Sequence, residues 1–158
     1  YAASTRLQET LRRQDVLAAI REIAVNLIGI QDMAVFAVDA QTSTLLQLDG
    51  FDSEQAANYH DIPMGIGPIG QAALTGNSYF DVVNDARRDN DANTPMACIP
   101  LPVDGRVWGV IVVFRLLPQK NRLVPLDYQL FELLSAQAAM ALHRAELTGE
   151  RGAATKIM

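Results

Sequence analysis

Cysteine is nearly missing: the 158 residues hold one, Cys98. A single thiol excludes an intrachain disulfide framework and a thiolate metal cluster. It fits a reducing compartment, so a cytoplasmic location is expected. Histidine is almost as scarce, with His60 and His143 alone. Haem or non-haem iron needs histidines or clustered carboxylates around a cavity, and these two lone residues make no such pattern. An excess of basic residues is also missing. The net charge of −5 and pI near 4.9 argue against nucleic acid or an anionic membrane as the main partner. The longest strongly apolar run, Val107–Phe114, is far too short to span a membrane. No charged-then-apolar leader opens the chain, so no secretion signal is in view. The chain begins at Tyr1 rather than methionine, which predicts a piece of a longer protein.

Apolar residues are plentiful. At 49% hydrophobic and 20% charged, the chain can fill the core of one domain, and disorder is not expected. Arg6 to Gly29 reads as one helix. Val16, Ile20, Ile23 and Leu27 form its apolar stripe, Glu9 and Arg13 can pair one turn apart, and Gly29 is the stop. Its polar first third keeps Leu7 and Leu11 on one side, as a helix arriving from an upstream coiled coil would. Met33–Val38 and Thr44–Leu48 make a hairpin that ends at Asp49-Gly50. Phe51–Tyr59 is a short helix or loop with Ser53 as its cap.

Three glycines, Gly65, Gly67 and Gly70, then fall within six residues. Read as a bare pattern they are G-x-G-x-x-G, a dinucleotide fingerprint. That fingerprint needs a core strand before it and a long helix after it. Here Tyr59–Pro63 is no core strand, Pro68 removes an N–H that a phosphate would use, and the helix stops at Gly76. The glycines are better read as allowing tight turning and close approach. Pro68 suits a helix start, Ile69, Ala72 and Ala73 form the buried face, and Gly76 caps the end. A strand over Ser78–Val83 follows.

The polar run 84–94 has no apolar period and is long enough for a lid. Met96–Leu101 and Val107–Phe114 form a second hairpin around Asp104-Gly105. The latter strand, apolar on both sides, is expected at the sheet's centre. A loop bearing Pro118 and Pro125 leads to a closing helix, Asp127 to Leu147. This helix has two apolar faces: Phe131, Leu134, Ala138 and Ala141, and Leu130, Leu133, Gln137 and Met140. Two faces predict two partners, the sheet and another helix. Helices bracketing a mostly antiparallel sheet define an α+β fold.

These pieces in this order resemble a GAF domain, the sensory relative of PAS domains. The resemblance rests on Gly65–Gly70, Thr75-Gly76, Tyr79–Asp85, Ile99-Pro100-Leu101, Gly105, Gly109-Val110-Ile111 and Leu130–Leu147. It runs from about Val16 to Leu147 and implies three parts. Residues 1–15 would be an incoming linker or coiled-coil helix, 16–147 the domain, and 148–158 an outgoing linker or tail. It also implies a six-stranded antiparallel sheet with the terminal helices on one face. The other face would carry the helix Pro68–Thr75 and the 84–95 loop, with a small-molecule pocket beneath.

The implied work is signalling, in bacterial kinases, cyclic-nucleotide enzymes or transcription regulators, often as a homodimer through the bracketing helices. Pocket candidates are Phe51, Ile66, Ile69, Phe80, Asp81, Met96, Cys98 and Trp108, with Arg87 or Arg88 for an anionic ligand. Strand alternation puts Met96 and Cys98 on one face; the face of Trp108 is open. Some GAF-fold proteins are free methionine-(R)-sulfoxide reductases that use cysteines in and beside the pocket. Cys98 lacks a resolving partner, so a small buried hydrophobe is expected there and no enzyme. A bilin would need an exposed cysteine. The lysine/asparagine–phenylalanine–aspartate signature of cyclic-nucleotide-binding members is not recognisable, and the ligand stays unknown. An absence of ligand, with the domain serving only to dimerise or dock a partner, is the alternative.

Overall fold

The computed structural model describes residues 2–81 and 94–157, with side chains over 12–81 and 94–147. The chain runs α1 (Ala2–Ile23), a π turn (Ala24–Ile28), β1 (Ile30–Asp39) and β2 (Thr44–Asp49). A 3-10 turn (Ala56–Asn58), β3 (Ile62–Pro63) and α2 (Gly67–Thr75) follow. It closes with β4 (Tyr79–Phe80), β5 (Ala97–Val103), β6 (Arg106–Leu116) and α3 (Pro125–Ile157). The six strands form one antiparallel sheet in the order β3-β2-β1-β6-β5-β4.

β6 is central because its residues are apolar on both sides. Ile111, Val113 and Leu116 pack with α1 and α3, whereas Val110, Val112 and Phe114 pack toward α2. The other element edges follow local chemistry. Asp104 and Gly105, at φ 50° and 78°, make the primed turn that joins β5 to β6. Pro100 and Pro102 sit in β5 beyond the two residue pairs that join it to β4, where no further ladder needs their missing N–H.

Two glycines set how closely elements approach. A Cβ at Gly70 would lie 2.3 Å from the Pro63 carbonyl oxygen, and one at Gly109 would lie 2.2 Å from that of Phe36. The first lets α2 rest on β3, and the second lets β6 close on β1. The glycine cluster thus serves packing: α2 begins with Pro68 in its first turn and ends at Gly76, after only nine residues. The expected buried face, Ile69, Ala72 and Ala73, is the observed one.

α1 departs from the periodicity reading. Its buried residues are Leu17, Ile20, Ala24 and Ile28, whereas Ile23 and Leu27 are 39% and 60% exposed. Leu17, Ile20 and Ala24 keep ordinary α spacing, one position on from Val16 and Ile23; beyond them comes the π turn, closed by the Gly29 N–H donating to the Ala24 carbonyl five residues back. A wider turn brings every fourth residue round to the sheet, so Ile28 replaces Leu27. Leu7, Leu11 and the Glu9–Arg13 pair lie outside the described side chains.

α3 starts two residues earlier than expected. Pro125 takes the first helical position, and the Asp127 carboxylate accepts from the Val124 N–H at 2.7 Å and from Lys120 Nζ at 2.8 Å. The reach back to Val124 is half of a capping box. The first apolar face, Phe131, Leu134 and Ala138, is buried together with Leu142 and Ala145. On the second face Leu130 packs partly buried against the same cluster, whereas Leu133 and Met140 stay 57% and 55% exposed. α1 and α3 share one face of the sheet and run antiparallel, because one enters and the other leaves at the end where Ile30 pairs with Leu116. The Ser78–Val83 strand is seen as Tyr79–Phe80, with 82 and 83 outside the described residues. Among the described residues no helix is long and apolar enough to cross a membrane.

Candidate functional site

The sheet has two chemically distinct sides. On the α2 side, Ala34, Phe36, Cys98, Val112 and Phe114 form the floor under Ile69, Ala72 and Ala73. Tyr59 stacks on Phe114 with ring centroids 5.5 Å apart. Of the ten candidate residues, Ile69 and Cys98 lie in this layer, and Cys98 is fully buried. Ile66, at the start of α2, is 64% exposed and lines none of it. Arg87 and Arg88 lie outside the described residues. Asp81 stands where the description pauses, its N–H donating to the Met96 carbonyl at 2.9 Å.

Four candidates turn to the helix side instead. Phe51 is held there at φ 48° by Arg21, whose guanidinium donates to its carbonyl at 2.8 Å and lies 5.4 Å from its ring centroid. Asp49 adds a bond from the Phe51 N–H at 2.8 Å, so three contacts hold a backbone angle that costs a non-glycine residue about 1 kcal/mol. Phe80 meets Tyr128 edge-on at 4.7 Å and Phe131 at 5.9 Å. Trp108 packs against the helix-side cluster and its Nε1 donates to Glu146 Oε2 at 2.7 Å. Met96 belongs to the helix-side cluster while Cys98 faces α2, so the two do not share a face. Met96 precedes β5, where regular alternation has not begun.

Among the cavities bordered by described residues, one of about 380 Å³ lies between Phe80, Ile99 and the first turns of α3 at Tyr128, Phe131 and Glu132. A second, of about 620 Å³, opens at the end of the sheet between the two hairpin tips and reaches Trp108, His143 and Glu146. A third, of about 200 Å³, lies beneath α1 and α3 and shares Trp108 and Glu146 with the second. None of them reaches the floor beneath Ile69 and Cys98. The residues of the second cavity come from five elements and the turns between them; Thr75, Gly76 and Gly105 among them mark a cap and a turn in the sequence, and nothing there marks a cavity. Among the described residues no group of three or more His, Cys, Asp or Glu is placed to hold a metal ion.

This arrangement of helices on opposite faces of a six-stranded antiparallel sheet is that of a small α+β regulatory domain. The family model for the GAF domain matches residues 10–143, and the chain belongs to that family. Its fold is similar to that of a methyl-accepting chemotaxis protein segment (17% identity, 92% of this chain, 96% of the other, TM-score 0.62). It is also similar to the GAF-B domain of DevS from Mycobacterium smegmatis (20% identity, 88% and 98% covered, TM-score 0.64). A type II free methionine-R-sulfoxide reductase from Thermoplasma acidophilum shares the fold as well (12% identity, 87% and 96% covered, TM-score 0.62). No curated protein matches the chain. GAF domains are generally non-catalytic sensory or regulatory modules of signalling proteins, although the reductase is a GAF-fold enzyme.

Proposed function

We propose that this chain senses a small molecule on the α2 side of its sheet and relays the change through α1 and α3 to an output domain of a signalling protein. The observation that carries this reading is the open stripe on α3. Leu126, Leu133, Met140 and Leu147 recur every seven residues and all remain exposed, although the neighbouring face is buried on the sheet. Seven residues is the period of a two-helix seam, so the stripe suits the same helix of a second copy in a homodimer. A helix with one face on the sheet and the other on a dimer mate transmits a sheet displacement directly. The ligand would lie beneath residues 84–95, over Ile69 and Cys98, with Asp81 at the entrance and Arg87 or Arg88 meeting an anionic group. Residues 1–15 and 148–158 then serve as incoming and outgoing connections. Cys98, the sole thiol, is buried, which supports a non-catalytic role in the cytoplasm.

A second reading has its own support. Phe36, Cys98, Val112 and Phe114 are almost fully buried beneath α2, and Phe51, Phe80, Met96 and Trp108 point the other way. A domain filled by its own side chains would dimerise or dock a partner without any ligand. A thermal-shift scan across nucleotides, amino acids, organic acids and amines separates the two. The sensor reading expects stabilisation by one class, which Arg87→Gln or Arg88→Gln alters if the ligand is anionic. No shift with any class leaves the interaction module.

A further inference from the structure

The second cavity exists because of where strand pairing stops. β1 and β6 pair no further than Ala37 with Gly109. Each strand nevertheless continues with its hairpin mate, to Asp39–Thr44 on one side and Val103–Arg106 on the other. The two hairpin tips therefore leave the sheet as separate ribbons, and right-handed twist spreads them. The gap of about 620 Å³ between them falls in the range of small-molecule sites.

Its walls are amphipathic. Val38, Leu74 and Val107, from three different elements, and Met64, in the turn after β3, supply apolar surface, and none of them is fully buried. Arg106 stands at the rim, exposed, and its guanidinium makes no hydrogen bond or ion pair with another described residue. The Glu146 carboxylate on the opposite wall is already engaged by the Trp108 indole N–H. His143 shares that wall, and its Nδ1 is buried without a partner among the described residues. Asp39 and Asp104, one in each hairpin tip, are nearby carboxylates that do not line the gap.

We propose that this cleft binds a small amphipathic carboxylate, its apolar body against Val38, Met64 and Val107 and its carboxylate paired with Arg106. The guanidinium offers a planar fork that matches a carboxylate. Neither Ile69 nor Cys98 lines it. It touches α3 directly through His143 and Glu146, and Trp108 of β6 is bonded to Glu146, so occupancy bears on the helix that continues past the sheet.

Trp108 is the chain's only tryptophan, so its fluorescence reports on this cleft and on the smaller cavity that shares it, and the Arg106 variant tells the two apart. The test titrates the whole chain with hexanoate and phenylacetate, and with hexanamide and phenylacetamide as neutral counterparts, up to about 10 mM. The expected result is a saturable change with an acid, at least about tenfold weaker with its amide and in Arg106→Gln. Circular dichroism of Arg106→Gln checks that it folds, and the Arg87→Gln/Arg88→Gln double variant is expected to titrate as the parent does. No saturable change with either acid overturns the proposal. So does an equal response to acid and amide, or a response that survives Arg106→Gln. Loss of the titration only in the double variant places the anion beneath 84–95 and also overturns it.

Discussion

On the α2 side of the sheet, Ile69, Ala72 and Ala73 press onto Cys98, Val112 and Phe114, and Gly70 brings the helix within contact of β3. On the opposite side, α1 and α3 bury one face each but leave Ile23, Leu27, Leu133 and Met140 open to solvent, with two cavities around Trp108 and Phe80. Both sides use the same sheet and the same kinds of residue. On the α2 side a nine-residue helix and small residues close over the middle of the sheet, and Leu74 is left open at the helix end. The helix side leaves a whole stripe of α3 uncovered among the described residues. A monomeric domain gains nothing from an open heptad stripe, and such a stripe is what a second helix would cover.

Substitutions on the two sides sharpen this contrast. The largest effect is expected at Gly109, where β1 and β6 touch under both layers. Gly109→Ala forces a Cβ into the Phe36 carbonyl, and backbone cannot move aside as a flexible side chain can. Urea unfolding is expected to show a loss of at least about 3 kcal/mol, or no folded protein. A loss under about 1 kcal/mol would mean that the strands can separate there. Next comes Asp127, buried at the start of α3 with the Val124 N–H and Lys120 as partners. Asp127→Ala is expected to cost about 3 kcal/mol by the same assay, since it uncaps the helix and strands a half-buried lysine. Trp108→Phe keeps most of the packing and loses one bond to Glu146, so about 1 kcal/mol is expected. Leu133→Glu with Met140→Glu should leave monomer stability within about 0.5 kcal/mol, because both positions are already solvent-facing.

The architecture was legible from the order of its parts. Gly65–Gly70, Thr75-Gly76, Pro100-Leu101 and Gly109-Val110 each mark a turn, a cap or a close approach. Those are backbone constraints, and backbone constraints leave a readable trace in residue type. Burial on α2 was legible for the same reason, since a short regular helix keeps its period. What failed was anything that depends on a break in regularity. The π turn at Ala24–Ile28 brings Ile28 rather than Leu27 to the sheet, and periodicity assumes that no such turn exists. Met96 turns to the helices just before β5 becomes regular, so alternation misplaced it relative to Cys98. The resemblance places Phe51 among the pocket candidates, while Arg21, thirty residues away in the chain, holds it on the helix side. The cleft between hairpin tips was invisible because five elements and their turns build it, and its one motif, Thr75-Gly76, marks a helix cap rather than a binding wall.

The account's central claim is that the open stripe on α3 is an interface between two copies. Multi-angle light scattering of the parent and of the Leu133→Glu/Met140→Glu variant, across a wide concentration range, tests it most directly. The account predicts a dimer for the parent and a monomer for the variant, with unchanged unfolding midpoints at high dilution. A parent that stays monomeric at the highest concentration, or a variant that dimerises as the parent does, would contradict it.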